Sequence, residues 1–279
     1  MLLNCFFIVF AFGQEKAFQI YNGNGKKVSY RTLNASAEKV DIILFGELHN
    51  DPISHWLELE LTKSLFEEHG HNLTLGAEML ESDNQIQLNE YLMGFIREKD
   101  FERESKTWIN HQTDYSPLLK FAKEKNLNFI ATNIPRRFAN IVYRFGLDTL
   151  EYLPEESKQF FAPLPILYDT SLRCYKEMSV MAEGHGGENL PKSQAIKDAT
   201  MAYFIAKNME EGTKFLHYNG SYHSKFHESI MWYLLKLNPD FNILTIEVVE
   251  QSDISKFNND FVGSSDYIIV VDEDMCKTH

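Results

Sequence analysis

Cysteine is scarce in this chain. Three thiols in 279 residues cannot make the disulfide framework that staples small secreted domains. Cys174 and Cys276 have no C-x-x-C spacing, which excludes a cysteine zinc cage and a dithiol redox motif; whether they pair stays open. Glycine and proline, 14 and 8 residues, are too few for a collagen or a low-complexity chain. Positive charge is in deficit: 27 Lys plus Arg against 40 Asp plus Glu give a formal charge of −13. A surface of that sign repels a phosphate backbone, so nucleic acid is not an expected partner. Long apolar runs are missing as well. The run from Cys5 to Phe12 falls well short of the roughly 20 residues a membrane span requires.

That run has a different meaning. Met1 to Gly13 carries no charge and gives way abruptly to Gln14-Glu15-Lys16. It matches the core of a secretory signal, with small Ala11 and Gly13 at the positions a signal peptidase reads. The expectation is a signal peptide over residues 1–13 and an exported mature protein, periplasmic or outer-membrane associated. The usual basic start is missing, which leaves a buried amino-terminal strand as the alternative. Leu2-Leu3-Asn4-Cys5 lies before the apolar run rather than after it, which argues against lipidation.

With 44% hydrophobic and 24% charged residues, the rest reads as one globular domain, residues 14–279. Short β-branched or aromatic runs alternate with longer amphipathic stretches, the α/β signature. Strands are expected at 41–45, 73–77, 128–132, 214–218, 242–246 and 267–271, and helices at 53–68 and 116–125. Continuously apolar strand centres suit strands covered on both faces. The fold class is therefore α/β, an open and mostly parallel sheet flanked by helices. From about 138 to 212 the pattern is helical and cut by Pro154, Pro163, Pro165 and Pro191, so a small helical insertion is expected, closing with a helix at 193–210.

Polar residues gather where these strands end. Gly46-Glu47-Leu48-His49, Glu78, Asn133-Ile134-Pro135-Arg136-Arg137, Gly220-Ser221-Tyr222-His223 and Glu247 follow successive strands. The carboxyl ends of parallel strands are where such sheets bind ligands. Glu and His at the end of an apolar strand are costly unless paired or bound to metal. Glu47, His49, Glu78 and His223 are therefore candidate acid–base residues of a hydrolase, and His49, Glu78 and His223 candidate ligands of a divalent metal ion. Pairing of Glu47 with His49, or helix capping, is the plainer reading. His223 and His227 form an H-x-x-x-H pair without the glutamate of a metalloprotease motif, and a solvated helix face is the favoured reading. Ser221 lacks the second glycine of a nucleophile elbow.

The two G-x-x-H motifs with Glu78 between them resemble the superfamily of ChaN haem-binding proteins, Tiki metalloproteases, TraB-like proteins and erythromycin esterases. Within it the chain is similar to the ChaN family, through Tyr115 to Leu119, Ala131 to Arg137, Gly146-Leu147 and Gln194 to Ala202. The likeness extends from about Val40 to Val249. It implies a parallel sheet with a small helical domain and haem binding at the cell envelope in iron uptake. It further implies a tyrosine on the iron, with His and Lys of a second subunit on the propionates. The chain departs from the family at Gly184-His185-Gly186-Gly187, where the family has histidine-cysteine-glycine, and at Ser224-Lys225-Phe226.

Haem needs an apolar slot, an axial ligand and cations for two propionates. Tyr168, Tyr175, Tyr203 and Tyr222 are the candidate ligands and His185 and Lys192 the candidate propionate partners; spacing does not choose among them. Expected partners are haem, an outer-membrane haem receptor and a second copy in a ligand-linked homodimer. Haem binding leads. A metal-dependent hydrolase acting through the strand-end Glu/His residues is the alternative.

Overall fold

The computed structural model describes residues 16–185 and 187–279, with side chains described outside 181–185. The expected signal peptide, 1–13, lies outside the described residues.

Eight strands form one sheet in the order β2-β1-β8-β7-β3-β6-β4-β5. They are β1 (Phe18–Asn22), β2 (Lys27–Val28), β3 (Ile42–Glu47), β4 (Leu73–Glu81), β5 (Asn128–Asn133), β6 (Lys214–Gly220), β7 (Ile243–Gln251) and β8 (Tyr267–Asp272). All pairs from β8 to β5 are parallel. The β1–β2 hairpin adds an antiparallel edge against β8. Each run expected to be a strand is one. The hairpin is an addition to the expected set: five residues and two, half-exposed at the edge, leave too short a pattern to read.

The helices are α1 (Tyr30–Ala37), α2 (Pro52–His69), α3 (Gln85–Leu92), α4 (Glu98–Ser105), α5 (Ser116–Lys125), α6 (Arg136–Phe145), α7 (Glu155–Lys158), α8 (Arg173–His185), α9 (Leu190–Lys207) and α10 (Ile230–Leu237). Between β5 and β6 the described residues are helix, turn and loop. The period of two in a strand divides the core. Ile43 and Phe45 face Leu57, Leu61 and Leu65 of α2. Ile42 and Leu44 face Ala202 and Ile205 of α9 and Leu234 of α10. No helix among the described residues is long and apolar enough to cross a membrane. Cys174 is buried, Cys276 is exposed, and the two are not joined.

After β3 the chain passes to β4 and β5, returns to β6 between β3 and β4, and crosses to β7 and β8 on the other side. The direction of winding reverses around β3 and β6, which opens a crevice at their carboxyl ends.

Candidate functional site

The sheet register sets the floor of this crevice. Glu47 lies beside Gly220 in the β3–β6 pair. Glu78 follows Ala77, which pairs with Tyr218, and Gly220 N–H donates to Glu78 Oε2 at 2.8 Å. Both G-x-x-H glycines are close-approach positions. A Cβ on Gly220 would lie 2.7 Å from His49 Nε2 and 3.5 Å from Glu78 Oε2, and one on Gly46 2.8 Å from Ile246 O. His49 and Glu78 thus face each other across a residue that has no room for a side chain.

Two histidine networks stand on the floor. His49 Nδ1 lies 2.6 Å from Glu47 Oε1, which also accepts from the Tyr115 hydroxyl at 2.7 Å. Beneath it His55 Nδ1 sits between Glu47 Oε2, at 3.4 Å, and Glu58 Oε2, at 3.2 Å. In the second network His223 Nδ1 is 2.5 Å from Asp198 Oδ1 and its Nε2 is 3.0 Å from Glu78 Oε1. The Tyr175 hydroxyl donates to Asp198 Oδ2 at 2.8 Å. Each network is a buried tyrosine holding a carboxylate that in turn holds a histidine.

Charge follows from these contacts. Burial works against ionised His223, but Glu78 and Asp198 outweigh it and raise its pKa to about 9. Burial likewise opposes Glu78, yet the charge and hydrogen bond of His223, with His49, hold it down at about 2. For His55, hydrogen bonds to Glu47 and Glu58 overcome burial and lift it to about 11. His49 is raised in the same way against burial by Glu47 and Glu78, and Glu47 is lowered. Burial and the neighbouring Glu47 charge push Glu58 well above the usual carboxylate range. With a carboxylate at each ring nitrogen, His223 favours its protonated form.

Above the floor opens a cavity of about 990 Å³. One wall is α6, presenting Arg136, Ala139, Asn140 and Tyr143; another is α9, presenting Leu190, Ser193, Gln194 and Lys197. Each set has the i, i+3, i+4, i+7 spacing of one helix face. Leu48, Trp108, Ile134 and Met178 add apolar surface, and Tyr222 stands on the rim. Trp108 meets the His49 ring edge-on at 4.9 Å.

The haem candidates separate. Tyr222 lines the cavity and is 45% exposed, with Lys225 Nζ 3.8 Å from its ring centre. Tyr175 is buried with its hydroxyl committed to Asp198. Tyr168 packs on Tyr175, their ring centres 5.4 Å apart, and lines a second cavity of about 530 Å³ together with Lys192. Lys192 Nζ donates to Asn189 Oδ1 at 2.9 Å. Tyr203 lines a third cavity of about 190 Å³ beside α10. The His185 side chain lies outside the described residues. His223 and His227 occupy separate 3₁₀ turns, Ser221–His223 and Lys225–His227, with Ser224 between them and Phe226 at φ 64° inside the second. They share no helix face: His223 is buried on the floor and His227 faces Asp266.

Of the candidate metal ligands, Glu78 pairs with His223, and His49 stands opposite Glu78 across Gly220. The triads at metal-ligand spacing among the described residues are instead Glu47–His55–Glu58 and Glu98–Glu102–His111. Sequence reasoning passes over Tyr143, Tyr115, His55, Glu58 and Asp198. Tyr143 has a signal, the seven-residue step from Arg136 along one helix face. Glu58 has one too, a carboxyl on the helix stripe that carries Leu57, Leu61 and Leu65 inward.

Fold and floor together define an α/β protein with a ligand cavity at the strand ends. The chain belongs to the family described as haem-binding uptake, Tiki superfamily, ChaN, whose model matches residues 33–234. It is similar to the solved ChaN of Campylobacter jejuni, described as binding haem cofacially, with TM-score 0.69 and 18% identity over 91% of this chain and 96% of that one. A Bacillus cereus protein solved by structural genomics has TM-score 0.51 and 12% identity over 87% and 90% of the two chains. No curated protein matches the chain.

Proposed function

We propose that the protein binds haem in the strand-end cavity, with the Tyr222 phenolate as iron ligand, and serves haem uptake at the cell envelope. The observation that carries this reading is the half-exposed Tyr222 at the rim of a cavity of about 990 Å³ whose walls pair apolar surface with cations. The parts suit the ligand. Leu48, Trp108, Ile134 and Met178 offer the apolar slot, Arg136 and Lys197 lie in the walls to meet propionates, and the Lys225 ammonium lies over the Tyr222 ring. Bound haem would supply iron chemistry; the chain's own residues bind it, orient it and shield it from water.

Membership of a haem-uptake family supports the same reading, as does the likeness to a ChaN that binds haem. Export, exchange with an outer-membrane receptor and a haem-linked homodimer belong to this proposal. Tyr143, which lines the cavity and is 39% exposed, gives a second copy apolar surface there. The hydrolase reading is weaker, because the matching family is a haem-uptake family and both nitrogens of His223 are engaged by Glu78 and Asp198.

Haemin titration of the purified protein, followed by its absorption spectrum, tests the proposal. The wild type should develop phenolate-to-iron charge-transfer bands. Tyr222→Phe should lose them while keeping its fold, since only the oxygen is removed, and Tyr143→Phe should keep them. Bands that survive in Tyr222→Phe and vanish in Tyr143→Phe would move the ligand to α6, and a wild type without them would end the proposal.

A further inference from the structure

We propose that the protein carries a divalent-cation site outside the cavity, built from Glu98 and Glu102 of α4 and His111 of the turn after it. One ligand atom from each of the three lies within 4.8 Å of the other two. The carboxylates stand four residues apart, on one face of α4. His111 comes from the π-helical turn His111–Tyr115 that leads into α5.

Two atoms point to an ion rather than to a self-satisfied cluster. His111 is 3% exposed, and its Nε2 finds no hydrogen-bond partner among the described residues; neither does the buried Oε1 of Glu102. Buried polar atoms left unpaired keep the cost of their lost hydration, so they mark a missing partner. Their neighbours are otherwise engaged. Glu98 Oε1 accepts from Ser116 and from Lys120, the latter at 3.0 Å, and Glu102 Oε2 accepts from Gln112 at 3.2 Å. The Lys120 ammonium pairs with Glu98 and is half-exposed, which leaves the other carboxylate and the imidazole to be served. Two carboxylates and one imidazole suit a first-row divalent ion such as Zn²⁺ or Mn²⁺, with water completing the shell. None of the three residues lines the cavity.

The ion would tie α4 to a segment that reaches the floor. Trp108 packs on His49, Asn110 Nδ2 donates to His49 O at 2.8 Å, and Tyr115 holds Glu47. A cation at His111 thus braces one wall of the cavity without entering it.

The full chain is stripped with chelator, given Zn²⁺ or Mn²⁺ separately, desalted and measured for bound metal and thermal midpoint. One ion per chain is expected, with a raised midpoint. Glu102→Gln and His111→Gln should each weaken binding at least tenfold and erase the midpoint rise, with circular dichroism confirming the fold. Should His111→Gln fail to fold, Glu102→Gln, on the half-buried face of α4, decides alone. Glu58→Gln probes the Glu47–His55–Glu58 triad and should keep the ion. Loss of the ion in Glu58→Gln alone, equal binding by all variants, or no ion retained by the wild type overturns the proposal.

Discussion

His223 carries a carboxylate at each ring nitrogen, and this makes stability depend on pH in a stated direction. Its pKa is about 9 in the folded chain against about 6.5 when unfolded. The folded state holds the proton more tightly, so the contribution is complete below about pH 6.5 and is lost as pH rises through about 9. Glu78, held at about 2, contributes fully above about pH 4.5 and loses its contribution as pH falls through about 2. Burial raises Asp198 and Glu58. Both therefore bind a proton more tightly when folded, which likewise lowers stability as pH rises. Urea unfolding at pH 6 and pH 9.5 should show a wild type weaker at the higher pH by several kcal/mol, because His223 and His55, raised to about 9 and about 11, both hold their protons more tightly in the fold and each tenfold difference in proton affinity is worth about 1.4 kcal/mol. His223→Gln should shrink that difference. Equal stability at the two pH values would mean that His223 is not charged in the fold.

Among the elements, α2 supports the floor from below, because His55 and Glu58 project from it toward Glu47. Its start is fixed by chemistry readable in the sequence. Asp51 caps it, Oδ1 accepting from Ser54 N–H at 2.7 Å, and Pro52 occupies the first turn. Asp51→Ala should cost about 1–2 kcal/mol in denaturant unfolding, and Asp51→Asn should restore most of it. A loss no smaller in Asp51→Asn would show that the negative charge, not the cap, matters. The expected bounds of this helix, 53–68, differ from Pro52–His69 by one residue at each end, and the expected 116–125 coincides with α5. Apolar period and flanking caps carry that much. They do not say that Glu58 and Asp198, each on a helix face turned inward, meet histidines from elsewhere in the chain. Those contacts depend on tertiary register, as does the neighbourhood of Glu47 and Gly220, which lie far apart in sequence. Composition around strand ends points to the floor, while only the sheet order brings its parts together.

For the whole molecule, the formal charge of −13 sets a conflict with the proposed ligand, whose propionates are anionic. Two fields act on approaching haem. The net negative field is long-ranged, with a screening length of about 30 Å at 0.01 M salt and about 8 Å at 0.15 M. The attraction of Arg136 and Lys197, which lie in the cavity walls, acts at contact distance, where added salt screens it little. Raising salt should therefore remove repulsion faster than attraction. Association of haemin, followed by stopped-flow absorption, should speed up by several-fold between about 0.01 and 0.15 M salt, within the range over which such fields alter on-rates. Lys197→Gln should instead speed dissociation at both salt concentrations, because it removes a contact and leaves most of the distant field in place. An association rate that falls with salt would show that haem is drawn in by the cavity's own cations. The acidic remainder of the surface would then play no part in its approach.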